Sequence, residues 1–420
     1  MNRTEERLRA AAQAAARTVA DGSAPPLRLP AGPGSRPARR PGRPRAGWRR
    51  LAAPLAAAAA VAGVAVAVSQ LSPGPAAGPV SAPATPPSPA EALASVPPYY
   101  AGLTGYPGQE HGTVVIRASA TGRALAKVAV PAPFTSFSRI SGAADDRMFV
   151  LAAEGSRPGG GSEVAFFLLR FDPARSAARL SRLPVPAVPG RDDSTLGPGL
   201  GGLAVSPDGR QLAFVVLRPS PLPPQLRVAD LATGTERTWV WNGPGWLADN
   251  GQTVSPLAWA ADSRTLAFQQ GHGFTSTSVR LLDTATAGGD LRTASRLAAA
   301  WQFAEDRTGN IALSPDAGTV VAPVTVLSGG ISELTITEFS AATGQVREQA
   351  AHWRYAGTAG GQDILWAGPG GRVLIVVGPA ASPRGGKLLH DPPWAVGVLA
   401  GGVFTPLPHA DAHYTDWIAF

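Results

Sequence analysis

AVSPDGRQLAF (residues 204–214), AWAADSRTLAF (258–268) and ALSPDAGTVVA (312–322) superpose without gaps. LWAGPGGRVLI (365–375) follows the same form, and SGAADDRMFVL (141–151) is an earlier copy. The matching turn positions are Asp145, Asp208, Asp262, Asp316 and Pro369, with steps of 63, 54, 54 and 53 residues. A near-constant period of this size marks a repeat architecture, in which each unit buries its apolar surface against its neighbours. Each copy reads as a strand, a tight turn and a second, apolar strand. In SPDG, Pro207 presets φ, Asp208 offers a carboxylate to backbone N–H groups, and Gly209 takes the relaxed exit. These Asp residues are therefore read as turn formers, not as metal ligands or catalytic acids.

A second hairpin recurs downstream. RASATGRALAKVAV (117–130), RVADLATGTERTWV (227–240) and ITEFSAATGQVREQ (336–349) each read strand, Thr-Gly turn, strand. LLDTATAGGDLRTA (281–294) and RFDPARSAARLSRL (170–183) are looser copies, and Gly234, Gly288 and Gly344 fall at intervals of 54 and 56. Four strands per repeat, arranged radially, make a β-propeller. The fold class is therefore all-β, a six-bladed propeller over residues 99–420, with seven blades the rival count. Blades 2 to 5 are expected at 137–186, 201–241, 255–296 and 309–350, and blade 6 at 362–408. YYAGLTG (99–105) and the 113–130 hairpin begin blade 1, and YTDWIAF (414–420) supplies its missing strand. Closing the ring this way removes the exposed edges that invite aggregation.

SPDGR and its degenerate copies resemble the WD-like repeats of the TolB-like envelope propellers. PPYYAGLTG, SGAADDRMFVLAAE and the N-terminal apolar run together resemble a family of membrane-anchored propeller proteins of high-GC bacteria. The resemblance covers roughly residues 97–420 and implies protein–protein interaction in the envelope. Regular Trp-Asp dipeptides are missing, so the repeat is not of the standard WD type, and no counterpart of the TolB N-terminal domain is visible.

The N-terminal part reads as a membrane address. Residues 1–50 carry twelve Arg against Glu5, Glu6 and Asp21, a net of +9, while the other 370 residues carry 25 basic and 26 acidic side chains. The chain's formal charge of +8 therefore belongs to its tail, and a propeller without a basic surplus is not expected to bind nucleic acid. LAAPLAAAAAVAGVAVAV (51–68) is uncharged, and with Ser69, Gln70 and Leu71 is long enough to cross a bilayer. Seven Arg between 36 and 50 precede it, which places residues 1–50 in the cytoplasm as a segment with a short helix over 4–20. A cleaved signal peptide and a buried Ala-rich helix are the competing readings of 51–71. Residues 72–98, nine of them Pro in 27, read as an extended, disordered linker of about 80 Å.

Zero Cys excludes a disulfide scaffold, a thiol nucleophile and Cys-ligated metal. The six His (111, 272, 352, 390, 409, 413) form no helix-spaced ligand pair, and His409, Asp411 and His413 read as a polar loop. Gly197, Gly199 and Gly202 satisfy GxGxxG but precede a strand with no helix after it. Asp145–Asp146 and Asp192–Asp193 are adjacent carboxylates, which a strand would point to opposite faces. No catalytic residue, cofactor or metal is expected.

The loops on one propeller face are rich in aromatic residues. Trp241, Trp246, Trp301, Trp353, Tyr355 and Trp394 are the candidate binding residues, because aromatics anchor interfaces and stack on sugars and apolar ligands. Packing between blades is the alternative for them. The functional expectation is a monomeric, single-pass protein of the cytoplasmic membrane that displays the propeller outside as a binding or sensing module. Its partner would be an envelope protein or a small ligand at that face. A transmembrane regulator whose tail binds a cytoplasmic factor, and a hydrolase or lyase of envelope glycans or peptides, are the alternatives.

Overall fold

The computed structural model describes residues 88–420, apart from 105–111, 158–159, 191–198, 219–221, 243–256, 273–275, 303–309, 357–363, 369–372, 382, 384–387, 391–392 and 409–417. The expected cytoplasmic segment 1–50, the span 51–71 and the linker to residue 87 lie outside the described residues. No helix among the described residues is long and apolar enough to cross a membrane.

Helix α1 (Pro89–Ala94) precedes the first strand. Ser88 Oγ accepts the Glu91 N–H at 3.4 Å, and the Glu91 carboxylate accepts the Ser88 N–H at 2.7 Å, a reciprocal cap. Pro89 stands where the helix needs no N–H donor. Ala92, Leu93 and Val96 then pack against Val396, Val398 and Phe420. Residues 89–98 thus belong to the propeller, not to the linker expected there, because a capped turn brings three apolar side chains to one side.

Blade 1 begins with β1 (Tyr99–Thr104), β2 (Thr113–Ala118) and β3 (Ala124–Ala129). Blade 2 has β4 (Phe134–Gly142), β5 (Met148–Ser156), β6 (Ser162–Asp172) and β7 (Ala177–Arg182), with β8 (Val188–Pro189) pairing onto β6. Blade 3 has β9 (Gly199–Val205), β10 (Gln211–Leu217), β11 (Gln225–Asp230) and β12 (Glu236–Val240). Blade 4 has β13 (Leu257–Trp259), β14 (Thr265–His272) and β15 (Ser276–Asp283). β16 (Gly289–Asp290) and α2 (Leu291–Ala294) then lead to its fourth strand, β17 (Ser295–Gln302). Blade 5 has β18 (Ala312–Leu313), β19 (Thr319–Ser328), β20 (Ile331–Ser340) and β21 (Val346–Ala356). Blade 6 has β22 (Ile364–Ala367), β23 (Val373–Pro379), β25 (Trp394–Ala400) and β26 (Val403–Pro406), with β24 (Leu388–Leu389) between its second and third strands. β27 (Ile418–Ala419) pairs antiparallel with β1, so the C-terminal strand completes blade 1. Six sheets make six blades, and the rival count of seven falls.

Six apolar clusters hold the ring, one at each interface between successive blades. Ile116 and Phe149 belong to the first, Phe166 and Phe214 to the second, and Trp239 and Phe268 to the third. Leu281 and Val320, Trp353 and Val376, and Val398 and Tyr100 represent the other three. Alternation along β1 shows the logic of a central strand: Tyr100 faces blade 6 and Ala101 faces blade 2, and both are buried.

The expected boundaries shift in three places. β17 and β21 run to Gln302 and Ala356, beyond the expected ends of blades 4 and 5. Gly288 is not the counterpart of Gly234, whose φ is +73°. It lies against Thr238 of blade 3 and leads into β16, which pairs parallel with β12 and covers the outer edge of that blade. Gly368 N–H donates to Val373, as Ser314 N–H does to Thr319, so the last step is 54 residues and not 53. A register shift between Ile364 and Trp366 accounts for the displaced residue.

The turns between first and second strands solve one problem in two ways. The residue after the Asp has positive φ in all four Asp-containing copies: Asp146 at 55°, Gly209 at 68°, Ser263 at 53° and Ala317 at 56°. In the SPD copies, Ser206 Oγ donates to Asp208 and accepts the Gln211 N–H, and Ser314 does the same between Asp316 and Thr319. The AAD copies have no hydroxyl there, so Asp145 and Asp262 accept the Met148 and Thr265 N–H groups directly, each at 2.8 Å. The turns also bond to each other. Ala144 N–H donates to the Pro207 carbonyl, and Ala261 N–H donates to that of Pro315. Pro207 has no N–H to pass onward, and the Asp208 N–H instead reaches Ser263 Oγ in blade 4 at 3.0 Å.

Ala317→Gly should raise stability by about 0.5–1 kcal/mol, because a Cβ in the left-handed region is strained. Gly209→Ala should lower it by about 1 kcal/mol or more, since its Cβ would also stand 2.3 Å from Met148 Cε. Urea midpoints at unchanged slope check both changes.

Candidate functional site

The inner strands β4, β9, β13, β18, β22 and β27 surround a central cavity of about 560 Å³. Their sequences are poor in bulk, with Ala204, Ala258 and Ala312 at corresponding positions, as close approach around an axis requires. The first-to-second-strand turns border one end through Ala144, Asp146, Pro207, Ala261 and Pro315. Residues 95–98 pass along this end, next to Phe420, as the chain enters β1. Leu203, Leu257, Leu365, Trp366 and Ile418 give the wall an apolar, partly exposed surface.

Among the described residues, two charged side chains line the cavity. Arg139 lies on β4 and donates from Nε to the Gly201 carbonyl of blade 3 at 3.1 Å. Asp146 lies at the turn end, where burial, and then the neighbouring Asp145, push its carboxyl up to about 6 against the pull of Arg147. Strand rise of about 3.3 Å per residue puts Arg139 roughly 13 Å above Ala143 at the foot of the strand.

The aromatic rim expected from the sequence is largely interior. Trp241 is buried between blades 3 and 4, with Arg280 over its ring at 5.7 Å. Trp353 is buried between blades 5 and 6, and its Nε1 donates to the Ala381 carbonyl at 3.0 Å. Tyr355 is buried beside it and meets the Trp394 ring edge-on at 5.7 Å. Burial pushes the Tyr355 hydroxyl up to about 12, partly offset by a hydrogen bond with Ser332. Trp394 is half-buried in the same seam. These four residues are therefore corrected from rim to inter-blade packing. The backbone of Trp301 lies in β17, its side chain lies outside the described residues, and so does all of Trp246. The His409–His413 stretch and Asp192–Asp193 also lie outside. Gly199 and Gly202 are part of inner strand β9, and Asp145 holds its turn.

The sequence reading missed Arg139. Counted back from the turn Asp, Arg139, Gly202 and Asn310 occupy the same position in blades 2, 3 and 5. A guanidinium in a column of otherwise uncharged inner-strand residues was the available signal.

No protein-family model matches this chain. No curated protein matches it either. Among solved structures, TolB from Acinetobacter baumannii is similar, with a TM-score of 0.47 at 13% identity over 76% of this chain and 66% of that chain. The β-propeller domain of the Trilobed protease from Pyrococcus furiosus gives 0.38 at 13% identity over 66% of this chain and 72% of that chain. Prolyl oligopeptidase B from Galerina marginata gives 0.40 at 12% identity over 75% and 42%. The chain thus spans just under two thirds of that TolB and less than half of that oligopeptidase. Blade count and topology rest on the strand pairing described above.

The raised Asp146 carboxyl has a stability consequence. Its folded value of about 6 exceeds the ordinary 3.8, so the fold favours the protonated form, and that contribution is lost as pH climbs from about 4 through 6. Partial exposure screens the effect to about 1 kcal/mol or less. Asn tolerates the left-handed backbone at this position. Asp146→Asn should leave the melting temperature unchanged at pH 4 and raise it by a few degrees at pH 7.5. Scanning calorimetry across that range checks the crossover.

Proposed function

We propose that this chain is a membrane-anchored, extracytoplasmic binding protein whose ligand enters the propeller's central cavity. One observation carries the binding part: about 560 Å³ of space with apolar walls and two placed charges, a size and character suited to a small-molecule site. Residues 51–71, preceded by an Arg-rich tail, support the anchor, and the positive-inside rule orients it with the propeller outside. The propeller acts in this reading as a rigid ring with a fixed central receptor, as a monomer and without nucleic acid. Trp241, Trp353, Tyr355 and Trp394 stabilise the ring in this reading and do not line the cavity.

Protein extracted from its own host's membranes and sprayed under native conditions should carry a small-molecule adduct. Leu257→Trp, which fills the cavity, should lose the adduct with a melting temperature within a few degrees of the parent. An adduct retained in that variant places binding elsewhere. Protease added to intact spheroplasts should release residues 99–420, and a protected propeller would reverse the topology.

A further inference from the structure

We propose that the cavity takes a small amphipathic cation, its ammonium group at the Asp146 carboxylate beside the Trp366 ring and its apolar body along the inner strands; this rests on the reading of the cavity as the binding site. Two departures from the repeat carry it, and both line the cavity. Trp366 pairs with Ile375 as Ala204 does with Ala213, Ala258 with Ala267 and Ala312 with Val321, so an indole stands where blades 3, 4 and 5 have a methyl group. Gly368 follows where those blades have Ser206, Ala260 and Ser314, and a Cβ there would stand 2.7 Å from the six-membered ring of Trp366. The glycine thus makes room for the ring next to the turn. Asp146 takes the left-handed turn position that Gly209, Ser263 and Ala317 fill in blades 3, 4 and 5. Blades 2 and 6 both adjoin blade 1, so carboxylate and ring flank residues 95–98 where the chain enters β1.

The fold has no use for the Asp146 charge. Among the described residues its carboxylate accepts no hydrogen bond and makes no ion pair, whereas Asp145 beside it accepts the Arg147 and Met148 N–H groups. Burial, and then Asp145, hold the Asp146 carboxyl at about 6 against the pull of Arg147, so the ionised group costs stability at neutral pH. Gly, Ser and Ala make the same turn in the other blades without a charge. A cationic ligand supplies the counter-charge, and a charge-assisted bond in a partly dry cavity is stronger than a neutral one. A cation is also drawn to an indole face, and Trp366 is only half-buried. Leu203, Leu257, Leu365 and Ile418 offer apolar contact to the body, over the roughly 13 Å from the foot of β4 to the level of Arg139. A neutral ligand leaves the carboxylate without a partner, and an anionic one is repelled by it.

Isothermal titration at pH 7.5 on the purified full-length protein tests the proposal with decylammonium, decyltrimethylammonium, decanol and decanoate, each below its aggregation concentration. At least one of the two cations should bind at least tenfold more tightly than decanol or decanoate, and the stronger identifies the head group as primary or quaternary. Asp146→Asn should weaken that cation at least tenfold, leave decanol unchanged and melt no lower than the parent. Trp366→Leu should weaken the cation more than it weakens decanol, and equal losses overturn the part given to the ring. Equal binding of decanol and the cations by the parent overturns the charge assignment and leaves the cavity as an apolar site. Cation binding untouched by Asp146→Asn overturns the anchor, and tighter binding of decanoate overturns the sign. If Leu257→Trp leaves every affinity unchanged, the cavity is not the site, and the binding reading falls with the proposal. If no probe binds the parent, this ligand class falls, and the adduct carried from the host's membranes decides separately whether the cavity binds at all.

Discussion

The pairing of Ile418 and Ala419 with Gly102 and Ala101 is the contact on which the other interfaces depend. Each inner blade face is apolar on both sides, as Tyr100 and Ala101 show in adjacent positions of one strand. A blade of this kind has no solvent face to fall back on. Its neighbours must be present on both sides, and that condition is met for all six only when the ring is closed. The strand that closes it is two residues long, and Phe420 extends the hold by stacking on Tyr100 at a centroid distance of 5.4 Å. Helix α1 packs on the same seam from the outside. Both ends of the folded region thus converge on the junction of blades 1 and 6, and the ring closes inside blade 1 through the noncovalent β1–β27 pair.

Much of this was legible in the sequence because the information is local. A turn with Asp followed by a left-handed residue leaves its mark within four positions, and a period near 54 repeats the mark. The alternation of SPD and AAD copies is also local, yet its meaning emerges only in space. Serine relays the carboxylate where it is present, and the carboxylate reaches further where it is not. What escaped the reading was length without pattern. The segment 284–294, with β16 and α2, keeps the spacing of the repeat while replacing its turn, so Gly288 mimicked a turn glycine by position alone.

The aromatic residues misled for a geometric reason. Blades radiate from an axis, so the gap between neighbours widens outward. Inner strands meet through Ala204, Ala258 and Ala312, while the outer strands of blades 3 and 5 fill a wider wedge with Trp239, Trp353 and Tyr355. Large rings at the ends of fourth strands are what the wedge demands. Their clustering in sequence near the loops of one face is the same fact seen without the third dimension. The cavity, by contrast, is assembled from six strands spread over the whole domain, and no short window of sequence contains it.

Departures from the repeat then become the informative positions, once those with a structural duty are set aside. β16 and β24 depart from the four-strand plan, and each covers the outer edge of the preceding blade through a parallel pair. Such cover blunts an edge that would otherwise template further strands. Arg237 and Arg296 recur at the starts of successive fourth strands, donating to the Thr284 and Ala341 carbonyls of the next blade. They are bolts between blades. On an inner strand Arg139 spans two blades in the same way, donating from Nε to the Gly201 carbonyl of blade 3. Architecture therefore accounts for Arg139 as it does for Arg237 and Arg296: each ties one blade to the next.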